Sequence, residues 1–142
     1  MTKQIEILIS IYPKYCKRII TNKKNYEFRP FKLYSEDNRI IFWVYESKPS
    51  MQIKYKLITN NPISDMSEGV MYTEGIDEFN RIVDRNRFAY QITEVYELET
   101  PISLEELRND FCLYNAPQNF LYLDKNKRLL NKLHSIKLSK IL

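Results

Sequence analysis

Two lysines lead directly into an alternating run of aromatic and charged residues at positions 23–29. Lys23 and Lys24 come first, and Glu27 and Arg29 then alternate with a tyrosine and a phenylalanine. Because successive side chains of a strand point to opposite faces, Glu27 and Arg29 would share one face. A carboxylate and a guanidinium held in this way can bind a base edge, a phosphate or a small polar ligand. The alternative is an ion pair on a solvated strand face, which stabilises a protein little.

The elements that position this run are predicted from hydrophobic periodicity. Apolar residues alternate over residues 5–11, which predicts a half-buried first strand, and Pro13 suits the first turn of a short helix that ends near Asn22. The nearly continuous apolar run at 40–45 predicts a strand buried on both faces. The other predicted elements are strands at 26–29 and 53–57, a loop at 60–73, a helix at about 75–84, a strand from 88 to before Pro101, a short helix from 103, a strand at 120–123 and a last helix from 124.

This order of elements predicts an α+β fold that is mainly β. Neighbouring strands with short helices at their corners favour a small mixed or antiparallel barrel, closed by a C-terminal helix. A chain of 142 residues is long enough to bury a sizeable core and fits one domain.

Charge is distributed unevenly along the chain. The formal net charge is +4, with +7 in residues 1–62, −8 in residues 63–123 and +5 in residues 124–142. A basic face is the electrostatic signature expected of a nucleic-acid binder. The acidic segment 63–123 could instead meet a basic protein partner.

Cysteine and histidine residues give no sign of a metal site. Cys16 and Cys112 are far apart and belong to no Cys-x-x-Cys or Cys/His cluster, which argues against both zinc and a disulfide framework. Lys3 and Glu6 interrupt the apolar run that a signal peptide would need, and no apolar stretch approaches the roughly 18 residues of a membrane span. We expect a cytoplasmic protein that uses no metal, no cofactor and no membrane.

The chain resembles the ASCH family of the PUA-like barrel superfold. Residues 22–29, Asn-Lys-Lys-Asn-Tyr-Glu-Phe-Arg, are similar to the family's Gly-x-Lys-x-x-Glu-x-Arg signature, with Asn22 in place of glycine. Asparagine tolerates the left-handed conformation of a helix C-terminus, so the turn can be kept. The other landmarks are Ile-Ser-Ile-Tyr-Pro-Lys-Tyr at 9–15, Tyr-Glu-Ser-Lys-Pro at 45–49 and Ala-Pro-Gln-Asn-Phe at 116–120.

The resemblance spans roughly residues 5–123 and implies two parts. Residues 1–123 would be a PUA-like ASCH domain, and residues 124–142 a basic C-terminal helical extension. Leucines on one side of this last helix favour a packed amphipathic helix over a nucleic-acid arm.

The resemblance also implies a binding module, possibly a regulatory one, for RNA, single-stranded nucleic acid or a nucleoside-like small molecule. Lys23 and Lys24 would contact phosphates, and Glu27 and Arg29 would present hydrogen bonds to a base. Further expected contacts are a hydroxyl, two stacking rings and an amide, from Ser47, Tyr12, Tyr45 and Gln118. Each tyrosine could instead belong to the core, and the glutamine could be a turn residue.

Two other classes of function stay open. Some relatives resemble amidohydrolases of acetylated nucleosides, and others are described as ribonucleases. A hydrolase would use Lys24 as acid or electrostatic stabiliser and Glu27 as base. Glu27 stands where the amidohydrolase would carry its threonine, so that hydroxyl nucleophile is missing. The third class is a protein-interaction module.

Overall fold

Seven strands and three α-helices make up the part of the chain that the computed structural model describes, residues 4–64 and 88–142. The helix expected at about 75–84 lies outside these residues. The strands are β1 (Ile5–Ile11), β2 (Tyr26–Arg29), β3 (Ile40–Glu46), β4 (Gln52–Thr59), β5 (Phe88–Ser103), β6 (Leu121–Tyr122) and β7 (Leu138–Lys140). The helices are α1 (Pro13–Ile20), α2 (Leu104–Phe111) and α3 (Lys127–Ser135), and a short 3-10 turn (Leu123–Lys125) precedes α3.

The strands form one curled, mixed sheet in the order β2-β5-β4-β3-β1-β6, with β7 also paired to β5. β1 and β3 run parallel, and the other paired strands run antiparallel. The predicted small α+β, mainly β architecture is confirmed. Because β1 and β3 are parallel neighbours, their carboxyl ends meet at one edge of the sheet, where Ile11 is opposite Glu46.

Both faces of the central strands are buried. Ile7, Ile9 and Phe42 belong to the core on one face, whereas Leu8 and Trp43 belong to the core on the other. β3 is buried along its whole length, as its apolar run predicts. β1 was expected to be half-buried but is buried on both faces, because the C-terminal elements pack over the second face.

The C-terminal helix α3 and the start of β7 pack onto this second face. Asn126 caps α3 by accepting a hydrogen bond from the Leu129 backbone N–H at 3.2 Å, and Leu129 and Leu133 are fully buried. His134 Nε2 lies 2.9 Å from the Oε1 atom of the buried Glu6 on β1. With β7 added to β5, the basic C-terminal segment shares a core with the strands that precede it.

Replacing Leu133 with alanine should therefore destabilise the whole protein. The side chain is fully buried, so we expect the free energy of unfolding in urea to fall by about 2–5 kcal/mol. Lys132→Ala, on the exposed side of the same helix, should change it by less than about 0.5 kcal/mol. Equal stability of the two variants would show that α3 is not part of the core.

Candidate functional site

The turn after α1 brings the lysines of the signature to the start of β2. Asn22 has a φ of 61°, the left-handed conformation that its place in the signature predicts. The backbone N–H groups of Lys23 and Lys24 then both donate to the Arg18 carbonyl, at 2.8 and 3.1 Å. This double contact at the end of α1 fixes where the two lysine side chains begin.

Lys24, Glu27 and Arg29 form one connected ion cluster. Lys24 Nζ lies 3.3 Å from Glu27 Oε1 and also donates to the Tyr26 carbonyl. Arg29 contacts the other carboxylate oxygen, Glu27 Oε2, through Nε at 2.7 Å and Nη2 at 2.6 Å. Both oxygens of Glu27 are thus engaged by cations, as the shared strand face predicts for Glu27 and Arg29.

The cluster is buried, unlike the solvated ion pair that the sequence left as an alternative. Glu27 is 5% exposed and Lys24 is 8% exposed. Burial by itself raises the pKa of Glu27, but the nearby Lys24 and Arg29 charges and their hydrogen bonds outweigh it and hold that pKa below its usual value. Glu27 is therefore ionised at neutral pH and is a weak base.

Arg29 also joins the two ends of the curled sheet. β2 stands at one end of the strand order and β1 next to the other end. Arg29 Nη2 donates to the Ser10 carbonyl of β1 at 2.8 Å, and Ser10 Oγ donates to the Pro117 carbonyl at 2.8 Å. The guanidinium therefore links β2 to β1, and Ser10 in turn links β1 to the turn at Pro117.

A second buried ion pair lies at the carboxyl end of β3, and the sequence analysis missed it. Glu46 is buried, and its Oε2 atom lies 3.2 Å from Lys54 Nζ. The available signal was a charged residue at the end of an apolar strand, but its partner on β4 could not be predicted from spacing. Desolvation by burial, followed by the charges of Glu46 and Glu27, raises the pKa of the Cys16 thiol. Cys16 therefore stays a neutral thiol near both carboxylates.

Most of the remaining predicted contacts lie at the surface. Lys23 and Gln118 are exposed, and Tyr12 is 66% exposed. Ser47 is half-buried, and both its backbone N–H and its Oγ donate to the Ile11 carbonyl, at 3.1 and 3.4 Å. Ser47 and Tyr12 thus share the edge at which β1 and β3 end.

Tyr45 lies elsewhere. It is 3% exposed and packs with Ile41 and Trp43 in the core on the face that α3 covers. Strand alternation explains this, because every second residue of β3 faces that core. Tyr45 therefore has the core position that the sequence left open, and the structure does not bring it to the ion cluster.

Among residues 4–64 and 88–142, no three histidine, cysteine, aspartate or glutamate side chains are grouped so that they could hold a metal ion. No helix in the described part of the chain is long and apolar enough to cross a membrane.

Crystal structures of an ASCH protein are similar to this chain along nearly its whole length. ASCH from Zymomonas mobilis has a TM-score of 0.69 and 17% sequence identity, with 95% of this chain and 98% of that chain covered. A serine-to-alanine mutant of that protein has a TM-score of 0.67 and 18% identity, with 96% and 100% covered. A tyrosine-to-phenylalanine mutant has a TM-score of 0.68 and 17% identity, with 94% and 100% covered.

At this level of identity the comparison concerns the fold. The protein has the fold of an ASCH domain, a small PUA-like α+β architecture, as the sequence resemblance predicts. No family model matches the sequence, and no curated protein matches it.

Removing Arg29 should cost considerable stability, because the buried Glu27 carboxylate would lose two of its contacts. For Arg29→Ala we expect the free energy of unfolding to fall by about 3 kcal/mol, the lower end for breaking a buried ion pair since Lys24 remains. Chemical denaturation followed by circular dichroism measures this. Lys23→Ala, a change at the exposed neighbour, serves as the control and should stay within about 0.5 kcal/mol of the wild type. A loss below about 1 kcal/mol for Arg29→Ala would contradict a role in joining the sheet ends.

The lowered pKa of Glu27 predicts a loss of stability in acid. The pKa is below the usual 4.5 in the folded state, so the stabilisation is complete above the unfolded pKa and is lost as pH falls through the folded pKa. Between about pH 5 and about pH 3, the free energy of unfolding should fall more steeply in the wild type than in Glu27→Gln. Glu105→Gln, which changes an exposed carboxyl group on α2, is the matched control. If the free energy of unfolding depended on pH in the same way in the wild type and in Glu27→Gln, the lowered pKa of Glu27 would be refuted.

Proposed function

We propose that this protein binds RNA, or a nucleoside-like ligand, at the sheet edge where β1 and β3 end. The observation that carries the proposal is the buried cluster of Lys24, Glu27 and Arg29, which lies at the signature positions of an ASCH fold. Two cations against one carboxylate leave the cluster with a net positive charge. In a site of low dielectric, such a charge attracts phosphate groups and base carbonyl oxygens more strongly than it would in water.

In this proposal the buried cluster is the floor of the site. Its geometry is fixed before a ligand arrives, because Glu27 orients both cations and Arg29 is also held by the Ser10 carbonyl. A fixed arrangement loses little conformational entropy when it binds, and so favours affinity. Lys24, Glu27 and Arg29 would thus define the electrostatic potential and the shape of the site.

Exposed residues would make the first contacts with the ligand. Lys23 has an exposed side chain on a backbone fixed by the Arg18 carbonyl, and we assign it to a phosphate group. We assign Gln118, which is exposed and follows the Pro117 carbonyl that Ser10 contacts, to a base edge. Ser47 and Tyr12, directly after the ends of β3 and β1, would add a hydroxyl and a stacking ring.

The geometry supports binding better than catalysis. A general base works best with a pKa near the operating pH, whereas the pKa of Glu27 is lowered and both of its oxygens already accept hydrogen bonds. Burial and two carboxylates hold Cys16 as a neutral thiol, so it is a poor nucleophile. Hydrolysis is therefore our second candidate function, after ligand binding.

Binding to single-stranded RNA should depend on salt and on Lys23. We expect fluorescence anisotropy with a labelled RNA octamer to show an association constant that falls as salt rises, with a slope of about −0.7 in log-log form for each phosphate contact. Lys23→Ala should weaken binding and reduce the slope by about one such contact. The matched control is Lys132→Ala, which removes an exposed lysine from α3.

Three results would count against the proposal. Binding that does not weaken with salt would exclude the phosphate contacts, and an equal loss in the two lysine variants would indicate non-specific attraction. RNA that is cleaved by the wild type and left intact by Glu27→Gln would make the protein a hydrolase.

A further inference from the structure

Two tyrosines at the start of α1 are exposed beside each other. Tyr12 is 66% exposed and Tyr15 is 38% exposed, whereas Cys16 and Ile19 of the same helix are buried. The two ring centroids are 6.5 Å apart with an interplanar angle of 52°. Lys14 Nζ lies 5.5 Å from the centroid of the Tyr15 ring. Rings exposed to this degree contribute little to the core, so core packing does not explain why two tyrosines lie here.

The backbone that carries these rings is fixed. Tyr12 precedes the first residue of α1 in an extended conformation, with φ −65° and ψ 146°, and Pro13 then starts the helix. The Tyr12 carbonyl accepts the N–H groups of both Tyr15 and Cys16, each at 3.0 Å. The two rings are therefore one helical turn apart on a rigid element and lose little backbone freedom when they contact a ligand.

The helix that carries the rings is positively charged. α1 contains Lys14, Lys17 and Arg18 and no acidic residue. Aromatic rings interleaved with cations are the surface that single-stranded nucleic acids prefer, because bases stack on the rings while cations attract the phosphates. An uncharged apolar partner would gain nothing from these three cations.

The rings also adjoin the proposed site. Tyr12 directly follows Ile11, whose carbonyl accepts hydrogen bonds from Ser47. The carbonyl of Ser10, one residue earlier in β1, accepts a hydrogen bond from the Arg29 guanidinium. The other end of α1 leads to Lys23. A helix of eight residues is about 12 Å long, so a ligand that lies along it could reach both ends.

We infer that Tyr12 and Tyr15 form a stacking platform for adjacent bases of a single-stranded nucleic acid, and that Lys14 contacts the phosphate backbone of that strand. The inference rests on the proposed function and narrows it: the ligand is a single strand of several nucleotides rather than a free nucleoside. Two bases of the nucleic acid would stack on the rings at the start of α1, and the nucleotides that follow would lie over the Lys24–Glu27–Arg29 cluster.

The test compares Tyr15→Ala with Tyr15→Phe, which keeps the ring and removes only the hydroxyl group. Binding of a labelled RNA octamer should weaken by about 5- to 150-fold in Tyr15→Ala, the range for losing one stacked base. Tyr15→Phe should stay within about twofold of the wild type, since stacking needs the ring alone. An octamer with abasic sugars should bind the wild type and Tyr15→Ala equally. Circular dichroism confirms that both variants fold.

The possible failures point to different errors. If Tyr15→Ala binds the octamer as the wild type does while Lys23→Ala binds it weakly, the platform is wrong and the proposed function stands. If free nucleosides bind as tightly as the octamer, the ligand is not a strand and the platform is again wrong. If neither nucleosides nor octamers bind, the proposed function fails and the platform with it. If poly-glutamate binds as tightly as the octamer and also depends on Tyr15, the surface recognises an acidic protein.

Discussion

The rest of the site depends on one buried carboxylate, Glu27, held between Lys24 and Arg29. A carboxylate out of water is costly unless cations and donors replace its hydration, and here two cations do so. The contact is also structural, because Arg29 extends from β2 to the Ser10 carbonyl of β1 at the other side of the curl. Arg29 therefore links the ends of the sheet, and Glu27 and Lys24 hold it in one buried cluster of charges.

This dual role connects the fold with the proposed activity. The parallel pairing of β1 and β3 gathers their carboxyl ends at one edge, and the turn at Pro117 is joined to the same edge through Ser10. In the proposed function, exposed groups at this edge would surround the buried cluster of Lys24, Glu27 and Arg29. On this account α1 is more than a connection, since it carries aromatic rings at its start and leads to Lys23 at its end. If the proposed function is correct, stability and ligand binding rely on overlapping residues.

The sequence predicted features that follow from local rules. Alternation placed Glu27 and Arg29 on one face, and the signature predicted a left-handed Asn22, which has that conformation. Contacts between distant segments could not be predicted, because they depend on how the sheet curls. Arg29 with Ser10 is one such contact, and Glu46 with Lys54 is another.

We propose that ligand binds where β1 and β3 end, over the Lys24–Glu27–Arg29 cluster. Titrating ¹⁵N-labelled protein with an RNA octamer and recording amide chemical shifts tests this claim most directly. We expect the largest shift changes at Tyr12, Lys23, Arg29, Ser47 and Gln118, with residues of α3 unchanged. Changes concentrated on α3 and β7, with the cluster unaffected, would contradict the account.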